Sequence, residues 1–276
     1  MQPKTSTKLT LRLIALGYLA VLLAVPLTII FWRTFEHGVG PFWDSVTTPA
    51  CQSAIRLSLV IVAIVVPINV AFGIVTALAL ARGKFPGRGL VQAIVDLPFA
   101  VSPVVVGVSL ILLWGVHGWF GGLAEHGLRV IFSLPGMVLA TIFVTMPFVV
   151  REVEPVLHEI GDEQEQAAAT LGATRWQTFW RITLPAIRWG LVYGVVLTVA
   201  RALGEFGALT VVAGGVPGKS QTLTLLVSSR YVDDRNTFGA YSAATVLMFL
   251  ALLTLLLMTF VNRRRASPVF EAGEKS

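Results

Sequence analysis

Residues 163–185 read EQEQAAATLGATRWQTFWRITLP, the longest non-membranous run in a strongly apolar chain. Two short helical patterns lie in it. Glu163 to Leu171 is rich in Ala, Glu and Gln, all good helix formers. Gly172 suits the position just past a helix end, where a left-handed backbone carries no steric cost. Thr174 can cap a second helix. In that helix Trp176, Phe179, Trp180 and Thr183 recur at i, i+3, i+4 and i+7, while Arg175, Gln177 and Arg181 point elsewhere. Pro185 permits no easy continuation. Such an aromatic stripe needs a groove in a partner or a membrane surface, or else must fold back on its own bundle.

The rest of the chain says where this segment sits. Hydrophobic residues make up 55% of it and charged residues only 13%, which indicates a polytopic membrane protein and not a soluble domain. Six stretches are apolar enough to cross a bilayer, about 20 helical residues each. They run roughly over 11–32, 57–81, 90–114, 136–150, 187–213 and 241–261. The first follows Lys4, Lys8 and Arg12 as a signal peptide would. Its apolar run is too long for one and no small-residue cleavage site follows, so it reads as an uncleaved span. Residues 1–10 are then a short tail, and 266–276 read as a disordered one.

Lys and Arg segregate between alternate loops. One side receives Lys4, Lys8, Arg12, Arg82, Lys84, Arg88, Arg151, Arg175, Arg181, Arg188 and Arg263 to Arg265; the other receives Arg33, Arg56, Arg129, Lys219, Arg230 and Arg235. The richer side is cytoplasmic, which puts both termini and the 158–186 loop there. The net charge of +6 borders apolar runs and gives no reason to expect a nucleic-acid partner. A single cysteine, Cys51, excludes an intrachain disulfide and a cysteine zinc cluster.

Some residues inside the spans carry a cost. Pro98, Pro103 and Pro147 each free a backbone carbonyl that must find a partner. They are ordinary kinks, or helix breaks lining a pathway; Ser102 before Pro103 belongs to the same feature. Asp96 is a partly buried acid able to cap or pair. Arg201 and Glu205 lie one turn apart, with Arg201 roughly 18 Å past Trp189 at 1.5 Å per residue, near the membrane middle. An intramembrane charge pair is a functional candidate: an element that pins helices or shapes a gate, a direct anion contact, or a passive ion pair. Gly204 and Gly207 flank it and allow close helix approach. The end of the fourth span, Pro147 to Pro155, either satisfies its own charges or acts as a lever. Gly214 to Ser220 ends in GKS, yet Ala213 replaces the first glycine of a phosphate-binding loop and a membrane helix precedes it, so it reads as an exposed turn. His37, His117, His126 and His158 lack metal-ligand spacing, His117 and His126 sharing a loop with Glu125. No catalytic set is visible.

Gln166-Ala167-Ala168, Gly172 six positions on, and Ile182-x-Leu184-Pro185 together resemble the "EAA" loop of ABC-importer permeases, with Gln166 where a Glu is usual and Glu165 and Glu163 just upstream. Asp96 to Pro103, Met146 to Glu152 and Arg201 to Ala208 extend the resemblance from about Leu11 to Arg265, to permeases of the sulfate/molybdate group. Residues 188–198 are similar to their W-type sulfate subunit. The resemblance implies an all-α, six-span type I importer permease domain over 11–265 that moves sulfate or thiosulfate. It also implies that Gln166, Ala167, Ala168, Gly172, Arg175, Trp176, Phe179, Trp180, Leu184 and Pro185 form a coupling loop. Translocation or gate candidates are Arg201, Glu205, Asp96, Pro98, Ser102 and Pro103. The implied partners are a second homologous permease, two cytoplasmic ATPases that hold the ATP, an extracytoplasmic sulfate-binding protein and membrane lipid. No cofactor, metal or catalysis is expected on this chain. Rival readings are a molybdate or tungstate permease, and a channel or secondary transporter with Arg201–Glu205 as a relay.

Overall fold

The computed structural model describes residues 5–122, 126–127 and 129–263, so the tail 266–276 and Glu125 lie outside the described residues. Every regular element among them is helical. In chain order these are α1 (Thr5–Phe35), α2 (Val39–Val46), α3 (Pro49–Arg82), α4 (Arg88–Ala100), α5 (Pro103–Trp114), α6 (Leu134–Ile160), α7 (Glu163–Thr170), α8 (Arg175–Leu203), α9 (Gly207–Val212), α10 (Leu223–Val232) and α11 (Thr237–Arg263). Five helices (α1, α3, α6, α8 and α11) are long and apolar enough to span a bilayer; α4 and α5, bent by 112° between Ala100 and Pro103, together have the length and apolarity of a sixth.

Helix α6 is the axis of the bundle, and its apolar stretch is the most buried of the five. Val149, Val150, Val153 and Leu157 pack with Ala77 and Leu80 of α3, Val95 of α4 and Ile187 of α8. Glycines let the backbones close in. A methyl group on Gly194 would sit 2.9 Å from Val149 Cα, and one on Gly190 2.6 Å from Glu152 O. These two glycines, one turn apart, lay α8 directly on α6, the small-residue packing that membrane helices use where hydrophobicity gives no drive. Asn69 reaches across from α3 and donates to Thr145 Oγ1 of α6 at 2.7 Å, while Thr145 donates back to Thr141 O. Helix α1 stands apart. Its side chains from Arg12 to Ile29 are all exposed, and Thr34 ties its end to Thr245 of α11 at 2.8 Å.

Three boundaries differ from the sequence reading. The fourth span runs ten residues past Val150 to Ile160, so Arg151 to Glu154 lie within a helix. The fifth span is not continuous to 213: it stops at Leu203, and a six-residue α9 follows at Gly207. The helix that begins at Arg175 does not stop before Pro185. Phe179–Thr183 is a π-helical turn in which Leu184 N–H donates to Phe179 O. Such a turn is wide. It spares Pro185 the clash with the carbonyl four residues back that an α-helical turn would impose, and α8 continues into the bundle.

Candidate functional site

The loop between α6 and the bundle portion of α8 is built from its caps inward. At the end of α7, Gly172 takes φ +85°. Its N–H donates to Ala169 O, and the Ala173 N–H to Ala168 O, each at 3.0 Å, the paired bonds of a Schellman stop. Thr174 then caps α8: its hydroxyl accepts from Gln177 N, and Gln177 Oε1 accepts from Thr174 N at 2.9 Å. The Gln177 half of this capping box was not anticipated from the sequence. Trp176, Phe179 and Trp180 form one aromatic cluster, with Trp176 and Trp180 rings edge-to-face at 5.4 Å. The cluster does not fold back on the bundle. Trp176 is 69% exposed, Trp180 50%, and Leu171 on the preceding turn 88%. Arg175, Gln166, Ala167 and Pro185 are exposed as well, while Ala168 and Leu184 are half-buried.

Thr183 leaves the aromatic face, contrary to the periodicity. The extra residue in the π turn rotates everything after it by about 100° relative to the residues before. Thr183 is thereby buried and donates to Glu165 Oε1 at 2.9 Å. The other oxygen of Glu165 accepts from Arg82 Nε at 3.2 Å. Arg82, the last residue of α3, also donates to Leu157 O at 2.9 Å and to Gly161 O. Glu165 and Arg82 thus fasten the loop to α3, α6 and α8 at one point. Beside them a cavity of about 270 Å³ opens between Leu78, Ala169, Arg175 and Phe179. Glu165 carries the loop carboxylate, and Gln166 faces outward.

The second group of residues surrounds the two helix breaks. Val101 N–H closes α4 on Leu97 O, and Ser102 begins α5 by accepting Val106 N–H at its carbonyl, 3.1 Å each. Pro103 is the first residue of α5, and Pro98 is buried inside α4. These two prolines belong to a sharp break; Pro147 and Pro155 lie inside an unbroken α6. The break in the fifth span lies against α5. A methyl group on Gly207 would be 3.0 Å from Pro103 Cβ, and one on Gly107 2.9 Å from Ala208 O. Gly204 meets only its own helix, so close approach belongs to Gly207 alone of the two glycines.

Arg201 and Glu205 do not share one helix face, because α8 ends between them, yet Arg201 Nη1 lies 2.7 Å from Glu205 Oε2. The Glu205 side chain is fully buried, and that of Arg201 is 33% exposed. Glu205 Oε1 accepts from Ala208 N at 2.8 Å, and its carbonyl accepts from Thr224 Oγ1 at 2.8 Å. The carboxylate therefore caps α9 and neutralises Arg201, while the backbone carbonyl of the same residue anchors α10. Asp96 pairs with Arg151 of α6, which donates through Nε at 2.9 Å, so half-helix α4 is held to α6 by charge as well as by the Phe99–Phe148 edge contact. Arg230 was read only as a loop charge. It is 7% exposed and donates to Gly239 O and to Thr48 Oγ1, 2.9 Å each, joining α10, α11 and the start of α3. The glycine-rich 213–220 segment is a turn: Gly214, Gly215 and Gly218 have positive φ, and the Ser220 hydroxyl accepts Val216 N–H.

The chain has relatives of known kind. Residues 69–267 match the family of binding-protein-dependent transport system inner membrane components. The chain belongs to this family. Within it, the chain is 50% identical over 264 residues to a sulfate transport system permease protein CysW of Synechocystis, covering 95% of each chain. It is 47% identical over 255 residues to the CysW of Escherichia coli K12, covering 91% of this chain and 87% of that one. Identity to the E. coli CysT permease is 35% over 249 residues, with 90% and 88% covered. Among solved structures, a bacterial ABC transporter that imports alginate superposes with a TM-score of 0.76 at 18% identity, over 95% of this chain and 96% of that one. This shared architecture is that of an ABC-importer permease. In this family setting the chain is a multi-pass membrane permease with no strand among its described residues.

Proposed function

We propose that this chain is a permease subunit of an ATP-driven importer of sulfate or thiosulfate, paired with a second homologous permease and fed by an extracytoplasmic binding protein. The substrate class rests on the CysW and CysT relatives. The observation that carries the mechanism is the Leu171–Trp180 knob: three large apolar side chains exposed on a loop that is itself rigidly capped and tied by Glu165 and Arg82. Exposed aromatics on a fixed frame suit insertion into a partner's groove. With the 158–186 loop on the cytoplasmic side, as the Lys and Arg distribution expects, that partner is the ATPase pair, which holds the nucleotide.

Motion of the groove is then passed through Glu165 to α3 and α6, and through the continuous α8 to the Arg201–Glu205 break. Arg201, Glu205, Ser102, Pro103, Pro98 and Asp96 lie at the two breaks or on the half-helix α4, and they act as the gate. Coupling of this kind needs packed elements with two arrangements.

The test is ATP-dependent sulfate uptake into vesicles holding the whole complex. Trp176→Cys is expected to cross-link to the ATPase and to abolish uptake when modified. Labelling of that cysteine only from the extracytoplasmic side would overturn the reading. Uptake blocked by molybdate but indifferent to sulfate would keep the coupling and replace the substrate.

A further inference from the structure

Two adjoining depressions lie along α3, at the end opposite Arg82. The upper, about 490 Å³, is lined by the polar Gln52, Ser53, Arg56 and Lys219 together with the apolar Leu57 and Val60. The lower, also about 490 Å³, shares Gln52, Arg56 and Val60 with it and continues over Ile55, Leu59 and Ala63. From Gln52 to Ala63 the pair runs about 16 Å along the helix axis at 1.5 Å per residue.

Chemistry changes along this length. The upper part brings two cations and two uncharged hydrogen-bonding side chains to one cavity. Among the described residues neither Arg56 nor Lys219 has a carboxylate within 4 Å. The lower part presents hydrocarbon, with Leu59 45% and Val60 36% exposed. The apolar run of α3 begins at Leu57, so the change falls where a bilayer's headgroup layer gives way to its chains.

Sulfate alone would use the upper part and leave the groove beneath it without purpose. A neutral lipid or a helix would use the groove and leave two cations without a counter-charge. We propose that this site holds an anionic phospholipid: the phosphodiester on Arg56 and Lys219 with Gln52 and Ser53 around it, and one acyl chain along Ile55, Leu59, Val60 and Ala63. Two uncompensated cations beside a hydrocarbon groove complement the phosphate charge and the acyl chain of one such molecule, and long basic side chains reach headgroups from just inside the boundary. The inference requires only a membrane-spanning chain and stands apart from the identity of the transported ion.

The experiment is native mass spectrometry of the full chain, purified from membranes with its co-purifying subunits and offered phosphatidylglycerol or phosphatidylcholine of equal chain length. Phosphatidylglycerol is expected to be retained at least tenfold better, with sodium sulfate at millimolar concentration failing to displace it. Arg56→Ala with Lys219→Ala removes the preference. Val60→Trp, which fills the groove with both cations in place, lowers retention of the same lipid at least tenfold. Arg56→Lys, as a folding control, keeps it. Equal retention of the two lipids, unchanged retention in either the double-alanine or the Val60→Trp variant, displacement by sulfate, or a photo-cross-link to the other permease from a benzophenone maleimide attached at Val60→Cys would each overturn the proposal.

Discussion

Glu205 has no exposed side-chain surface, and its charge is balanced by one guanidinium and one backbone N–H. Removing a carboxylate from such a site leaves Arg201 uncompensated within the membrane, at a cost of about 3 kcal/mol. Glu205→Ala should therefore lower the unfolding temperature of the purified complex, and Glu205→Gln should lower it less, because its amide oxygen can still accept from Ala208. An equal loss in both would show that the α9 cap contributes nothing. Glu165 makes the opposite kind of contribution. It is partly exposed and lies outside the spans, so Glu165→Ala should leave insertion and thermal stability nearly unchanged while cutting ATP-dependent uptake at least tenfold. Normal uptake by that variant would remove the Arg82–Glu165–Thr183 fastening from the mechanism. Residue by residue, the sequence showed unevenly. Gly172 and Thr174 were readable because left-handed stops and hydroxyl caps are local. Arg230 was not, since a cation beside a polar loop looks solvated until the helices that bury it are in place. Glu165 stood beside the loop's usual Glu position, but its partners Arg82 and Thr183 come from other helices and meet it only in the folded bundle.

At the level of elements, the π turn is the feature that period counting misses. An i→i+5 bond leaves no residue signature, and Pro185 read as a stop when it is the point where a wide turn hands over to an α-helix. Deleting Arg181 together with Pro185→Ala leaves the four remaining residues of the turn in a plain α-helical register without the proline clash, and should turn the aromatic cluster by about 100° against the bundle. The expected result is a permease that inserts normally, fails to cross-link through Trp176→Cys, and does not transport. Cross-linking at the original yield would contradict this. Breaks were half legible: two prolines marked the α4–α5 bend, whereas Leu203-Gly204-Glu205-Phe206 interrupts the fifth span without any proline. On the facing side of α8, Gly194→Leu drives a side chain into Val149 backbone. Overpacking of this kind costs about 1–3 kcal/mol or more, and it should appear as reduced permease in membranes.

For the whole molecule, the six apolar stretches and the loop between the fourth and fifth gave the architecture, because bilayer thickness and backbone satisfaction leave few alternatives. How the helices pack was not legible, since it depends on which glycines meet which backbones. Topology is open to direct measurement. The only native thiol, Cys51, is fully buried, so the chain offers a quiet background for single-cysteine labelling. Trp176→Cys is expected to react only with reagents that reach the cytoplasm, whereas impermeant ones added outside suffice for Lys219→Cys. The same sidedness for both would require redrawing the crossings.

The unbroken run of α8 from Arg175 to Leu203 has a mechanical meaning. It is a stiff rod of 29 residues, roughly 43 Å at 1.5 Å per residue. Resting on α6 through Gly190 and Gly194, it has a long arm of about 21 Å from Trp176 to Gly190 and a short one of about 10 Å from Gly194 to Arg201, at 1.5 Å per residue. A push of a few ångströms at the tryptophan tip then swings the arginine tip by about half that distance in the opposite sense, like a seesaw whose two riders never touch.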